Sequence, residues 1–308
     1  MAGELDTLLA VGVLVLGIVA VSLNALTSLY VVRRLQPTKP AAPVEEEESE
    51  DDDEDEGEED VDAGVPAKEE ILARRAQLIH ELEQERGTRV LQLIHRKEPW
   101  SADDEEPEIV LEDSETILQQ IRETPRDKPI DFIVHTEGGL AFAADLIAMA
   151  LRYHPGKVTV MVPFYALSDG TLIALAADEI MMEKTSILAP VEPLIDDMPA
   201  NWIMAIMKRK PIETISDRTI LFAEAARMET ENQKELVKWL LIDKMSEQQA
   251  TQVADFLAGG YMASSTPITL DVARAINLNV VEGVPGRVMQ LFETIEFGGG
   301  KIDSRQYK

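Results

Sequence analysis

The sequence predicts an α/β domain with a largely parallel sheet and flanking helices, preceded by one transmembrane helix. Short β-rich runs at 89–95, 130–135 and 157–163 alternate with helical patterns at 114–123 and 140–153. Strands and helices that alternate in this way build parallel sheets through crossover connections. Residues 8–32 hold no charged side chain and are rich in Leu, Val and Ala, a length that as a helix crosses the roughly 30 Å hydrocarbon layer of a bilayer.

Taken in order, residues 1–36 form the expected anchor. Glu4 and Asp6, rather than Lys or Arg, precede the apolar stretch, which argues against a cleaved secretory signal. Arg33, Arg34 and Lys39 follow it, and the positive-inside bias then places the soluble part in the cytoplasm. Residues 37–66 are expected to be an extended, disordered tether. Of the formal net charge of -28, fifteen negative charges and no positive one fall within 45–62, leaving -13 on the rest. Such a block repels itself and has nothing apolar to bury, so it reads as a spacer or, alternatively, a docking tail for a basic partner. No basic stripe compensates it, which speaks against nucleic acid as a partner. The chain has no cysteine, which excludes disulfides, thiolate zinc sites and cysteine nucleophiles.

The folded domain is expected over 67–297, with 298–308 as a tail. Ile71, Leu72, Leu78, Ile79 and Leu82 recur at helical spacing over 67–86, and Gly87 supplies a stop. After the three β-rich runs come a small-residue helix at 168–177, an apolar run at 179–182 and a proline-punctuated stretch at 188–193. Helical patterns at 202–208, 217–241, 246–257 and 270–276 follow, expected as a flanking layer or an oligomer contact.

Two loops lie between a predicted strand and a predicted helix, where open α/β sheets gather their ligands. The first is His135-Thr136-Glu137-Gly138-Gly139. Paired glycines there supply either a turn into the next helix or the unobstructed N–H groups of an oxyanion hole. The second is Tyr165 to Thr171, with Ser168 at the mouth of a helix. Ser168 reads either as a helix cap or as a nucleophile favoured by the helix dipole.

From Arg86 to Pro193 the chain resembles the serine dehydrogenase proteinase family, relatives of signal peptide peptidase A within the Clp-protease/crotonase superfamily. The resemblance is carried by Arg86-Gly87-Thr88-Arg89-Val90, Leu93-Ile94-His95-Arg96, the His135 to Gly139 loop and the long run from Ser168 to Ile180. Pro267-Ile268-Thr269 and the anchor's Leu35-Gln36-Pro37 extend it. The resemblance implies that Ser168 is a nucleophile and that the N–H groups of Gly138 and Asp169 hold the oxyanion. None of the four histidines follows Ser168, which disfavours the Clp-type order of a serine, histidine and aspartate triad. Relatives of the signal-peptide-peptidase type use a lysine some tens of residues after the serine, and Lys210 is the first candidate for this base, with Lys208 in reserve. A solvated surface lysine is the competing reading of both.

The sequence departs from the family pattern around this site. Glu137 stands for a proline, Asp169 for Gly or Ala, Ala189 for Gly and Glu192 for Asp. Carboxylates at 137 and 169 disfavour a developing oxyanion if they point inward; facing solvent they are neutral, and otherwise they select a cationic substrate. The expectation is thus a membrane-anchored serine peptidase with a Ser-Lys dyad, acting on peptides or membrane-protein tails and assembling as a homo-oligomer, without metal or organic cofactor. The alternative is an inactive, membrane-tethered binding module. Acyl-CoA chemistry, which the superfamily also hosts, is disfavoured because no run of Lys or Arg meets the phosphates.

Overall fold

The computed structural model describes residues 68–96, 98, 108–263 and 265–294. The expected span at 8–32, the acidic run at 45–62 and the tail at 298–308 lie outside the described residues. Among the described residues no helix is long and apolar enough to cross a membrane. The chain divides into two units, 1–70 and 71–308, and the second holds the fold.

Helix α1 (Lys68–Arg86) leads into β1 (Arg89–Ile94), and α2 (Leu111–Glu123), β2 (Ile130–His135), α3 (Ala141–Tyr153) and β3 (Val158–Val162) continue the alternation. Next come β4 (Tyr165–Ala166), α4 (Asp169–Leu175) and β5 (Glu179–Met182). With a late strand, β10 (Val280–Glu282), these form a five-stranded sheet of order β1-β2-β3-β5-β10, parallel throughout. Its register is fixed by pairs such as Arg89↔Ile130, Ile130↔Val158 and Val160↔Ile180. The expected parallel sheet is therefore present.

Successive side chains of each strand point to opposite faces, and the two faces are buried in different cores. Leu91, Leu93, Phe132, Val134, Val160, Val162, Ile180 and Met182 join the main core beneath α2, α3 and α4. Val90, Ile133 and Met161 face the other way, against Leu78 and Leu82 of α1 and Val288, Leu291 and Phe292 of a C-terminal helix α9 (Gly286–Glu293). A sheet covered on both faces explains the near-continuous apolar strands: all six residues of β2 are buried. One of them is Asp131, whose carboxylate is tied by the Arg86 guanidinium and by the Thr88 hydroxyl at 2.8 Å.

Beyond β5 the chain makes β6 (Ile187–Leu188), a hairpin of β7 (Leu194–Ile195) and β8 (Met198–Pro199), and the helices α5 (Ala200–Arg209), α6 (Asp217–Leu241) and α7 (Glu247–Ala258). The expected flanking layer is formed by α6 and α7, whose Leu236, Val237, Leu240, Val253 and Leu257 enter the main core. Helix α5 packs instead on the first half of α6 through Ala200, Ile203, Ala223 and Ala226. Two-residue β4 pairs with β6, and β6 with β9 (Ile268–Thr269), which opens α8 (Leu270–Ala275). This small sheet leaves the main one at β4 and thereby turns the chain toward Ser168.

Candidate active site

The site lies where β2 and β4 end together. Thr136 bridges Ala166 in parallel, and the Leu167 N–H donates to the Thr136 carbonyl at 3.0 Å. The segment after β2 is then pinned by residues 108–110: Ile109 N–H donates to Gly138 O at 2.9 Å, and Leu140 N–H to Ile109 O at 2.8 Å. Contact is so close at Gly139 that a Cβ there would lie 2.3 Å from the Ile109 nitrogen. Both glycines have positive φ, +123° at Gly138 and +153° at Gly139. A Cβ on Gly138 would sit 3.3 Å from the Ser168 Cβ and 3.7 Å from the Asp169 nitrogen, so this turn and the serine turn touch.

The Thr136 hydroxyl is the hub of the turn. It is buried, accepts the Gly138 N–H at 3.1 Å and lies 2.8 Å from Nδ1 of His95, whose Nε2 faces the Asp113 carboxylate at 3.3 Å. Burial pushes the Asp113 carboxyl up, but the His95 ring and the Val110 N–H outweigh it and hold the group below the usual range. His95 is thereby committed to holding the glycine turn. The N–H of Gly138 is engaged by Thr136, whereas Gly139 is exposed and its N–H approaches the Asp169 carboxyl.

Ser168 stands at φ 48° and ψ -113° at the head of α4 and caps nothing: its side chain makes no cap hydrogen bond, nor any other among the described residues. A non-glycine residue held at positive φ stores about 1–3 kcal/mol of strain, which persists only where the surroundings enforce it. Here Gly170 N–H donates to Leu167 O at 2.7 Å and Leu172 N–H to Ser168 O at 3.2 Å, closing the turn on either side. The Thr171 hydroxyl donates to Ala166 O at 2.7 Å and accepts Ala189 N–H at 3.0 Å, fixing α4 against β4 and the proline-punctuated stretch. The result is a half-buried hydroxyl on a sharp strand-to-helix turn, a geometry that exposes a nucleophile. The adjoining N–H of Asp169 makes no hydrogen bond among the described residues.

Burial makes charge costly for two aspartates, one at the head of α4 and one on α3. Asp169 is buried, and burial lifts its pKa to about 6 against the opposing Gly139 N–H. Asp145 on α3 is lifted to about 8, first by burial and then by the charges of Asp169 and Glu229. Glu137, by contrast, is exposed.

A base is not joined to Ser168. Lys208 and Lys210 are exposed at the end of α5, and among the described residues neither they nor any histidine hydrogen-bonds the serine. His135 is fully buried among Phe164, Tyr165 and Phe292 and held neutral, its pKa brought down to about 4 by burial, Arg96 and His95. Lys244 is the one described lysine lowered toward neutrality, to about 7, mainly by burial. Its ammonium donates to Leu175 O at 2.6 Å, at the far end of α4 and so about 10 Å along the helix from Ser168. Asp145, Thr136 and His95 went unassigned in the sequence. Asp145 had one signal, a carboxylate inside the otherwise uncharged first three turns of α3.

The chain matches, over residues 64–306, the family described as ClpP-like SDH-type serine proteinases. Two uncharacterized proteins of Methanocaldococcus jannaschii are similar to it. One is 41% identical over 224 residues, 72% of this chain and 76% of the relative. The other is 39% identical over 221 residues, 71% of this chain and 77% of the relative. Among solved structures, a mutant of the 1510-N membrane-bound stomatin-specific protease is 16% identical, covering 66% of this chain and 82% of that one, with a TM-score of 0.41. ClpP1 from Listeria monocytogenes is 15% identical, covering 67% and 99%, with a TM-score of 0.39.

Proposed function

From its place among the ClpP-like SDH-type serine proteinases, the family to which this chain belongs, we propose that it is a membrane-anchored serine peptidase with Ser168 as nucleophile. The observation that carries the reading is the uncommitted hydroxyl on a strained turn facing a glycine turn. The Ser168 Oγ attacks a peptide carbonyl, and the N–H groups of Gly138 and Asp169 receive the oxyanion. One such donor is worth about 3 kcal/mol of barrier. Water then releases the acyl-enzyme.

Lys210 remains the candidate base on sequence grounds, and it requires burial to work as one. Its helix supplies a reason for burial: Trp202 is 67% exposed and Ile206 38% exposed, with Ile212 nearby at 57%. A second copy covering these apolar residues would enclose Lys210, in line with a homo-oligomer. Residues 8–32 hold the assembly to the bilayer with the domain on the cytoplasmic side, and unfolded segments or membrane-protein tails are the substrates.

The second reading, an inactive tethered binding module, is favoured by the Asp169 carboxyl beside the Gly139 N–H and by the absence of a base bonded to Ser168 among the described residues. Comparing the full chain with Ser168→Ala decides between them. A peptidase loses hydrolysis of unfolded peptide in the variant; a binding module hydrolyses nothing in either form.

A further inference from the structure

Both backbone groups of Gly138 are tied into one closed ring of hydrogen bonds. Its carbonyl accepts the Ile109 N–H at 2.9 Å, and the next N–H along, that of Val110, donates to the Asp113 carboxylate at 2.9 Å. Asp113 faces Nε2 of His95 at 3.3 Å, His95 Nδ1 lies 2.8 Å from the Thr136 hydroxyl, and that hydroxyl accepts the Gly138 N–H at 3.1 Å. Strand register brings the members together: β1 and β2 pair in parallel with Ile94 opposite His135, so His95 and Thr136, which follow the two strands, stand side by side. One proton arrangement satisfies the ring. Burial works against charge on Asp113, yet the carboxyl is held below the usual range, so it accepts from Nε2–H. Nδ1 then accepts the Thr136 O–H, and the hydroxyl oxygen is left to accept from Gly138; the hydroxyl's other acceptor, Gly138 O, is farther away at 3.3 Å. Enclosing a carboxylate and an imidazole to hold one glycine is costly. The glycine so held is the one beside the nucleophile, since a Cβ on it would lie 3.3 Å from the Ser168 Cβ and 3.7 Å from the Asp169 nitrogen.

We infer that His95 and Asp113 are positioning residues for the Gly138 N–H, acting on the oxyanion through the Thr136 hydroxyl. The inference rests on the peptidase reading above. Carboxylate, imidazole and hydroxyl in this order are also the parts of an activated nucleophile, but Thr136 is fully buried and meets no substrate, so the array serves geometry. In the resting enzyme the Thr136 oxygen is a neutral acceptor for the N–H. An oxyanion makes a shorter bond, roughly twice as strong. The N–H therefore turns from the hydroxyl to the oxyanion as charge develops, while the bond from Ile109 to the Gly138 carbonyl keeps the peptide plane from rotating away. Without His95 or the hydroxyl, the N–H side of that plane is unheld and the donor is no longer aimed in advance.

The test is steady-state hydrolysis of casein, an unfolded protein, by the full chain and its variants. The kcat is taken per serine titrated by a fluorophosphonate run to completion, so that a misfolded fraction does not count. His95→Phe and Thr136→Val are each expected to lower kcat by about 10- to 100-fold with KM within about twofold of wild type, the pattern of an interaction made only in the transition state. Thr136→Ser, which restores the hydroxyl, keeps the wild-type kcat, and the double variant His95→Phe with Thr136→Val loses no more than the worse single one. If His95→Phe does not fold, Thr136→Val against Thr136→Ser decides. An unchanged or raised kcat in Thr136→Val, a loss carried by KM, or an equal loss in Thr136→Ser overturns the positioning role while leaving the peptidase standing. Absence of Ser168-dependent hydrolysis by the wild-type chain overturns both.

Discussion

Gly139→Ala is expected to be among the most damaging single-methyl additions in the domain. The new Cβ would stand 2.3 Å from the Ile109 nitrogen, 2.5 Å from its oxygen and 2.8 Å from its Cα. All three are backbone atoms of a fully buried residue, so no side chain can swing aside. Relief requires breaking the bonds from Ile109 to Gly138 and from Leu140 to Ile109, at about 1 kcal/mol each. Forced overpacking adds about 1–3 kcal/mol, and a Cβ at positive φ adds about 1 kcal/mol more. The sum, about 4–6 kcal/mol, is a large part of the roughly 5–15 kcal/mol that holds a domain together. Gly138→Ala is the control: its nearest contact is 3.3 Å, to the Ser168 Cβ, so its cost is about half. Urea unfolding followed by tryptophan fluorescence measures both, Trp239 being packed against the main core. A Gly139→Ala cost below about 1 kcal/mol, or a larger cost for Gly138→Ala, refutes the packing argument.

Other consequences can be checked in the same preparations. Asp145, raised to about 8 by burial and its acidic neighbours, keeps a proton that the unfolded chain releases near pH 4. The folded state then binds more protons, so this group's stabilisation is full below about pH 4 and is lost as pH rises through about 8; wild type minus Asp145→Asn should show that slope between pH 5 and 9. Lys244 has the opposite sign. Lowered to about 7, it makes stability rise with pH from about 7 to about 10.5, and Lys244→Met should flatten that rise. Arg86→Met leaves the Asp131 carboxylate buried with only Thr88, at a cost of about 3 kcal/mol, and Asp131→Asn in the same chain should recover most of it; equal losses in single and double variants contradict the pairing.

Long periodic elements were legible in the sequence for physical reasons that the structure repeats. The limits 217–241 match α6 because Ser216 accepts the Thr219 N–H and the apolar spacing runs unbroken. Ser246 opens α7 through a capping box with Gln249, and the apolar run of β2 is that of a strand buried on both faces. Two-residue β4, β6 and β9 have no period to read, and β10 is a three-residue edge with Val281 and Glu282 exposed. Helix α9 begins at a proline N-cap without a side-chain cap, so only its packing against Leu78 and Leu82 identifies it.

At the site, residue type and chain position exposed Ser168 and the glycine pair, because a turn between strand and helix is written in local sequence. The partners of the glycine N–H groups were not, since the Thr136 hydroxyl meets Gly138 and the Asp169 carboxyl approaches Gly139 only once the two turns are folded together. The four carboxyl and lysine positions separated the same way. Glu137 faces solvent while Asp169 is buried, and Lys210 is exposed while Lys244 is the enclosed one. Sequence spacing carries no information about enclosure by distant helices.

The central claim is that the Ser168 hydroxyl is chemically active. Intact-mass and peptide-mapping spectrometry of the full chain after treatment with a fluorophosphonate tests it directly. A single adduct located on Ser168, absent from Ser168→Ala, is the predicted result. An unmodified serine under conditions that label a known serine peptidase, or an adduct that persists in the variant, contradicts it.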